Sequence, residues 1–177
     1  MIEEGRVRPF DSAWASPIVL VPKKDGTIRF FFFFRQLNTI TWRDVFPIPC
    51  IDDALDTLGA ACWFTTLDLR SGYWQVPMSH EDCARAAFIT RDGLFEFTRM
   101  VMGLVNSPAT FQRFMQHVLG PMMWKTAIVY IDDVVVFSPN WELHLEHIKE
   151  VLQRIQNTNL KLAGNKGAYG VQNFLYL

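Results

Sequence analysis

Residues 129–138, VYIDDVVVFS, set two adjacent aspartates, Asp132 and Asp133, inside an apolar stretch. Val129, Tyr130 and Ile131 precede the pair, and Val134, Val135, Val136 and Phe137 follow it. A strand sends successive side chains to opposite faces, so the two carboxylates converge only where the chain bends. The segment therefore reads as two strands around an Asp-Asp turn. Burying two neighbouring carboxylates is costly. A solvated turn would avoid that cost. A bound cation would offset both desolvation and repulsion, and for hard carboxylate oxygens the natural ion is Mg²⁺.

A Mg²⁺ site rarely rests on one pair of residues, and a third acid stands on another apolar run. Asp68 follows Leu67 in FTTLDLRSGYWQ, near the end of a segment that reads as a buried strand. As a bland alternative, Asp68 would cap a helix after that strand. Three acids of this kind can hold two Mg²⁺ ions about 4 Å apart, with Mn²⁺ as a substitute, and so stabilise both oxygens of an in-line phosphoryl displacement. One ion would activate a primer hydroxyl. The other would hold an incoming triphosphate and its leaving pyrophosphate, the protein supplying position and charge neutralisation.

The rest of the chain bounds this reading. Half of its 177 residues are apolar, fifteen of them Phe, which suits one domain or two lobes of one unit. The formal net charge of −1 argues against a free-standing basic nucleic-acid binder, so any basic surface must be local. Cys50, Cys62 and Cys83 form no metal or disulfide pattern and fit a reducing compartment. The acidic start MIEEG lacks a signal-peptide run, and no apolar run is long enough to span a membrane, so an intracellular protein is expected. The apolar end, NFLYL, leads to the expectation of a fragment of something longer.

Local patterns predict a mixed α and β order without βαβ alternation. IVLV at 18–21 and the run after Asp25-Gly26 read as a hairpin with Lys23, Lys24 and Arg29 around its tip. Residues 49–59 read as a helix with Ile51, Ala54, Leu55 and Leu58 on one face and Gly59 as its stop. AAFITRDGLFEFT reads as a hairpin turning at Asp92-Gly93. SPATFQRFMQHVLG reads as a helix with Ser107 as N-cap and Pro108 at its first position. The last helix, NWELHLEHIKEVLQRI, carries Trp141, Leu145, Ile148, Val151, Leu152 and Ile155 on its apolar face.

Taken in order, WASPIVLVPKKDG, RQLN, FPIPCIDDALDTLG, FTTLDLRSGYWQV, MGLVNSPATFQRFM, VYIDDVVVFS and HLEHIKEVLQRI resemble the reverse transcriptase domain of Ty3/gypsy-type LTR retrotransposon Pol polyproteins, over nearly the whole chain. The resemblance implies an α+β right-hand polymerase reduced to fingers (about 1–42 and 77–106) and palm (about 43–76 and 107–177), the palm a small antiparallel sheet backed by helices. It implies that Asp68, Asp132 and Asp133 are catalytic metal ligands, joined by the backbone carbonyl of Leu69. Arg29 and one of Lys23 or Lys24 would reach the triphosphate. Tyr73 would be the steric gate that favours dNTP over rNTP, and Met102 and Gly103 would lie under the incoming base pair. The plainer alternatives are a core aromatic for Tyr73, a loop glycine for Gly103 and a solvated hairpin tip for the basic residues. The implied partners are an RNA or DNA template with primer, dNTPs and the rest of a Pol polyprotein with thumb, RNase H and integrase. The implied location is the cytoplasm, in a virus-like particle for an intact element.

Two departures stand against the resemblance. Phe31 to Phe34 occupy positions where the family has a cysteine, valine, aspartate and tyrosine, so Phe33 stands where an acid is expected. Such an all-Phe run exposes aromatic surface on one face of a strand and favours aggregation. It reads as decay of this copy or as a sequence error. Near the end, KLAGNKGAYG lacks the family's proline, and Tyr176 replaces a glycine. The rival expectation is therefore a catalytically inactive remnant that at most binds nucleic acid. An aspartic protease would need Asp-Thr-Gly, where this chain has Asp56-Thr57-Leu58.

Overall fold

The computed structural model describes residues 1–22, 26, 28–164 and 167–172. In chain order the elements are β1 (Val7–Pro9), β2 (Ser16–Pro22), β3 (Ile28–Phe32), α1 (Arg35–Ile40), α2 (Ile51–Leu58), β4 (Trp63–Asp68), α3 (His80–Arg85), β5 (Phe88–Thr90), β6 (Gly93–Phe97), α4 (Ser107–Leu119), β7 (Ala127–Tyr130), β8 (Asp133–Ser138) and α5 (Trp141–Asn157), with 3₁₀ turns at Gly72–Gln75 and Gly120–Met122. This is the α+β class expected. The chain divides into two units, Met1–Asp44 with Tyr73–Ser107, and Val45–Gly72 with Pro108–Leu177. No helix among the described residues is long and apolar enough to cross a membrane.

The first unit is built on a five-stranded sheet of order β1-β6-β5-β2-β3. β2 and β3 form the expected antiparallel hairpin, from Ile18 opposite Phe32 to Pro22 opposite Ile28. The β5–β6 hairpin closes at Thr90 opposite Gly93, so its turn is Arg91-Asp92, and Gly93, at φ +141°, opens β6. The turn lies one residue earlier than the Asp-Gly signal predicts.

The five-Phe run has a physical account here that its sequence lacks. Alternation along β3 sends Phe32 and, beyond its end, Phe34 into the core with Phe88, Phe97 and Val101. Phe32 meets Phe97 edge-on at 4.7 Å and Phe88 at 5.2 Å between ring centroids, an arrangement that suits the ring quadrupoles. Phe34 is 1% exposed, whereas Phe31 and Phe33 are 44% and 50% exposed. Phe32 and Phe34 do core work, whereas Phe30, on the same alternation, is 46% exposed like its outward neighbours.

The second unit holds a three-stranded antiparallel sheet of order β4-β8-β7. β8 is central and buried on both faces, which explains an uninterrupted apolar run where a half-solvated strand would alternate. Phe64, Val135, Phe137 and Ile128 pack with Ala54 and Leu58 of α2. Ile51 and Leu55, expected on the buried face of α2, are about half exposed at 51% and 49%. The outer edge of β4 is not bare. The segment after α5 runs along it, with Thr66 N–H donating to the Ala168 carbonyl and Phe64 and Val171 exchanging two bonds. Gly167 permits this approach, because a Cβ there would stand 2.6 Å from the Thr66 carbonyl oxygen.

The buried face of α5 agrees with the expected one only in part. His144, Val151 and Ile155 are buried, while Trp141, Leu145 and Leu152 are exposed. Polar pairing reverses the hydropathy ranking: His144 Nε2 lies 2.8 Å from Thr65 Oγ1, and Nδ1 lies 3.0 Å from Ser138 Oγ. Ser138 Oγ also meets His147 Nδ1 at 2.7 Å, and Gly170 N–H donates to Thr65 Oγ1. A buried polar group so satisfied is tolerated where an unsatisfied one is not.

Two predictions follow from the packing. Phe34→Ala is expected to cost about 3–5 kcal/mol in denaturant unfolding, while Phe33→Asp stays within about 0.5 kcal/mol of the parent. Burial, and then the neighbouring His147, push the His144 pKa below its ordinary value. A lowered folded pKa contributes stability above the unfolded value, and that stability is lost as pH falls through the folded one. The share of the unfolding free energy that His144 contributes should therefore shrink as pH falls below about 6.5, so the difference between the parent and His144→Gln in urea titration should change over that range in this direction.

Candidate active site

The register of β4 and β8 places Asp68 directly opposite Asp133 at the end of the pair. Residues opposite one another in an antiparallel ladder point to the same face, here the face that carries Phe64, Val135 and Phe137 further down. Asp132 does not lie on a strand. β7 and β8 close at Tyr130 opposite Asp133, so the turn residues are Ile131 and Asp132. The bend expected at Asp-Asp is thus at Ile-Asp, and Asp133 opens β8. Ile131 takes φ +55°, as two-residue hairpin turns of the primed types require at their first position. For a β-branched residue this conformation is strained, and such strain clusters at functional sites.

The electrostatics at the turn are unfavourable. Burial pushes the Asp132 carboxyl up to about 6, with further contributions from the charges of Asp133 and Asp68. Its Oδ1 is buried with no hydrogen-bond partner among the described residues. As the side chains stand, no three His, Cys, Asp or Glu among the described residues close into a ligand group. The donor set nevertheless suits a hard divalent cation: carboxylate oxygens, one of them orphaned, in a cluster whose repulsion a cation would relieve.

Leu69 is buried, and its N–H donates to the Asp132 carbonyl at 3.2 Å, tying the end of β4 to the turn. Its own carbonyl accepts no backbone hydrogen bond among the described residues. Asp68, Leu69, Asp132 and Asp133 therefore come together in the second unit. Gly72 belongs with them, although sequence reasoning missed it. A Cβ at Gly72 would stand 2.8 Å from Asp132 Oδ1 and 2.8 Å from Phe111 Cζ. The signal was present in Arg70-Ser71-Gly72, a turn directly after the acid, with Ser71 at φ +52°.

The remaining predicted residues belong to the first unit. Tyr73 opens onto the 3₁₀ turn and is buried. Met102 is 60% exposed. Gly103 takes φ +102°, and its carbonyl accepts from Asn38 Nδ2 at 2.8 Å. Gly103 also lines a cleft of about 390 Å³ together with Phe33, Arg35, Asn38 and Arg43. Ser107, expected as an N-cap, opens α4 and donates its hydroxyl to the Val101 carbonyl at 2.8 Å. Arg29 is placed by its backbone in β3 opposite Val21. Lys23, Lys24 and the side chain of Arg29 lie outside the described residues.

Comparison with known proteins bears on this site. The profile of the family described as reverse transcriptase (RNA-dependent DNA polymerase) matches residues 21–177. The chain is 40% identical to the retrovirus-related Pol polyprotein from transposon opus of Drosophila melanogaster, over 92% of this chain and 17% of that protein. It is 36% identical to the corresponding polyprotein from transposon gypsy of the same species, over 100% of this chain and 18% of that protein. It is 33% identical to the transposon Tf2-3 polyprotein of Schizosaccharomyces pombe, over 90% of this chain and 12% of that protein. The chain thus spans less than a fifth of the length of these relatives. Among solved structures, the prototype foamy virus protease-reverse transcriptase superposes with a TM-score of 0.84 at 25% identity, covering 96% of this chain and 23% of that one. A foamy viral protease-reverse transcriptase in complex with double-stranded DNA superposes with a TM-score of 0.91 at 23% identity, covering 99% of this chain and 31% of that one. The ordered motifs, the paired acids of the β4–β8 register and the profile match agree: the chain belongs to the reverse transcriptase (RNA-dependent DNA polymerase) family, in the Ty3/gypsy-type retrotransposon lineage.

Proposed function

We propose that this chain is the fingers and palm of an RNA-directed DNA polymerase that transfers a nucleotide from a dNTP to a primer 3′-hydroxyl. The observation that carries the reading is Asp68 opposite Asp133, with the desolvated Asp132 in the adjoining turn, in a chain of the reverse transcriptase family. The carboxylates of Asp68, Asp132 and Asp133 and the Leu69 carbonyl would hold two Mg²⁺ ions. When bound, such ions neutralise charge on the attacking and leaving oxygens of an in-line displacement. The protein's own contribution is to hold the acids together at the end of the β4–β8 pair, so that little reorganisation accompanies the reaction.

The first unit would present the substrates. Arg29 with Lys23 or Lys24 would reach the triphosphate, and the Tyr73 ring would exclude a ribose 2′-hydroxyl. The cleft lined by Phe33, Arg35, Arg43 and Gly103 offers an exposed ring beside two guanidinium groups, a combination that suits unpaired template bases and their phosphates. Thumb, RNase H and integrase would belong to the same Pol polyprotein, acting in the cytoplasm and within a virus-like particle.

Primer extension on an RNA template tests the reading. Extension by the parent should require Mg²⁺ and fall below detection in Asp132→Asn; equal extension by both would overturn the assignment of Asp132. Tyr73→Ala should raise incorporation of rNTP relative to dNTP by about 10–100-fold. Asp132→Asn should also stabilise the fold, because it removes a charge whose pKa is raised to about 6 by burial and repulsion. After discounting for solvent at the turn, the gain is about 1 kcal/mol, read as a Tm higher by about 2–4 °C in metal-free buffer.

A further inference from the structure

Gln112 lies in the middle of α4 and is completely buried, at 0% exposure. A primary amide in such a position must find partners for both ends. It does so on one backbone stretch. Nε2 donates to the Val129 carbonyl at 2.8 Å, and Oε1 accepts from Ile131 N–H at 3.0 Å. β7 is the edge strand of its sheet. Tyr130 pairs with Asp133 toward β8, so Val129 C=O and Ile131 N–H face the open side. One carboxamide therefore does there what a neighbouring strand would do for a residue pair.

The placement has a specific consequence. The second bond falls on Ile131, which holds φ +55° immediately before Asp132. A β-branched residue leaves that region unless its surroundings over-determine it. Leu69 N–H fixes the Asp132 carbonyl from the other side. The preceding residue of α4, Phe111, lies against Gly72, where Asp132 Oδ1 also approaches. The turn is thus held at Ile131 N–H by α4 and at Asp132 C=O by Leu69, just past β4.

We propose that Gln112 is a positioning residue for nucleotidyl transfer: its buried carboxamide clamps the left-handed Ile131 turn and so sets Asp132 where a divalent cation is shared with Asp68 and Asp133. The inference rests on the reading of Asp132 as a metal ligand. Groups that orient metal ligands typically contribute 10–100-fold to metal affinity, and that is the scale expected.

The test measures Mn²⁺ binding to the full chain by electron paramagnetic resonance of the free ion, alongside primer extension. Gln112→Met keeps the side-chain length and removes both bonds. It is expected to remain folded by circular dichroism, to bind Mn²⁺ at least about 10-fold more weakly, and to lower kcat at saturating metal while leaving the dNTP KM within about twofold. Met115→Leu, an equally buried change on the same helix, should leave Mn²⁺ affinity unchanged. The double variant Gln112→Met with Ile131→Gly relieves the left-handed strain, since glycine adopts positive φ freely. It should recover Mn²⁺ affinity to within about threefold of the parent, a rescue that a merely space-filling Gln112 would not produce, and it carries the test if the single variant does not fold. Parent-like Mn²⁺ affinity in Gln112→Met, or no recovery in the double variant, would overturn the positioning role. If Asp132→Asn weakens Mn²⁺ binding and Gln112→Met does not, only the present inference falls. If neither weakens it, the metal-ligand reading of Asp132 falls as well.

Discussion

A slip of one residue between β4 and β8 would carry Asp68 to the face of the sheet opposite Asp133. The register is held by what lies further along the ladder. Phe64 sits opposite Phe137 and Thr65 opposite Val136. The Phe64 face is filled by α2, and the Thr65 face meets the buried His144 of α5. Neither face tolerates an exchange: a slip would bring Phe64 and Phe137 toward a polar cluster and strip His144 of its hydroxyl partners. Packing and hydrogen bonding at one end of the strands thus align two carboxylates at the other end. The acids themselves repel and contribute nothing to the alignment.

That division of labour explains why the site can be locally unfavourable. Asp132 is desolvated, repelled by two neighbours and left with an orphaned oxygen, and the residue before it is held in a left-handed conformation. Each of these features is destabilising; the apolar sheet beneath the site and the bonds with Gln112 and Leu69 carry the cost. A second backbone constraint sits at Gly72, where any side chain would collide with the Asp132 carboxylate and the Phe111 ring. Function here is built from conflicts that the surrounding core is strong enough to sustain.

Much of this architecture was legible in the residues, and the failures have distinct physical causes. Strands and hairpins followed from apolar runs and Asp-Gly signals, because those patterns act through the local backbone. The acids were legible because carboxylates within Val-Tyr-Ile and Val-Val-Val-Phe demand an explanation. Turn positions were off by one at Arg91-Asp92 and Ile131-Asp132, since pairing registers, not turn residues alone, decide where a hairpin closes. The buried face of α5 was partly misjudged because hydropathy ranks Leu145 above His144, while partners on β4 and β8 reverse the order. The roles of Gly72 and Gln112 depend wholly on what lies across from them in space, and no spacing rule reaches that. The Phe run looked like damage in one dimension, whereas strand alternation assigns Phe32 and Phe34 to a ring cluster that the first unit needs.

The segment laid along the outer edge of β4 has a consequence for the order of events during synthesis. The first unit is complete in sequence once Ser107 has been made. The second unit waits for Ala168 and Val171, which pair with Thr66 and Phe64 roughly a hundred positions earlier in the chain. Until they emerge from the ribosome, the strand that carries Asp68 has a bare edge of the kind that invites pairing with other chains. The strand that carries Asp68 is therefore protected later than the first unit, and the interval between making Asp68 and covering its strand is a window open to misassembly.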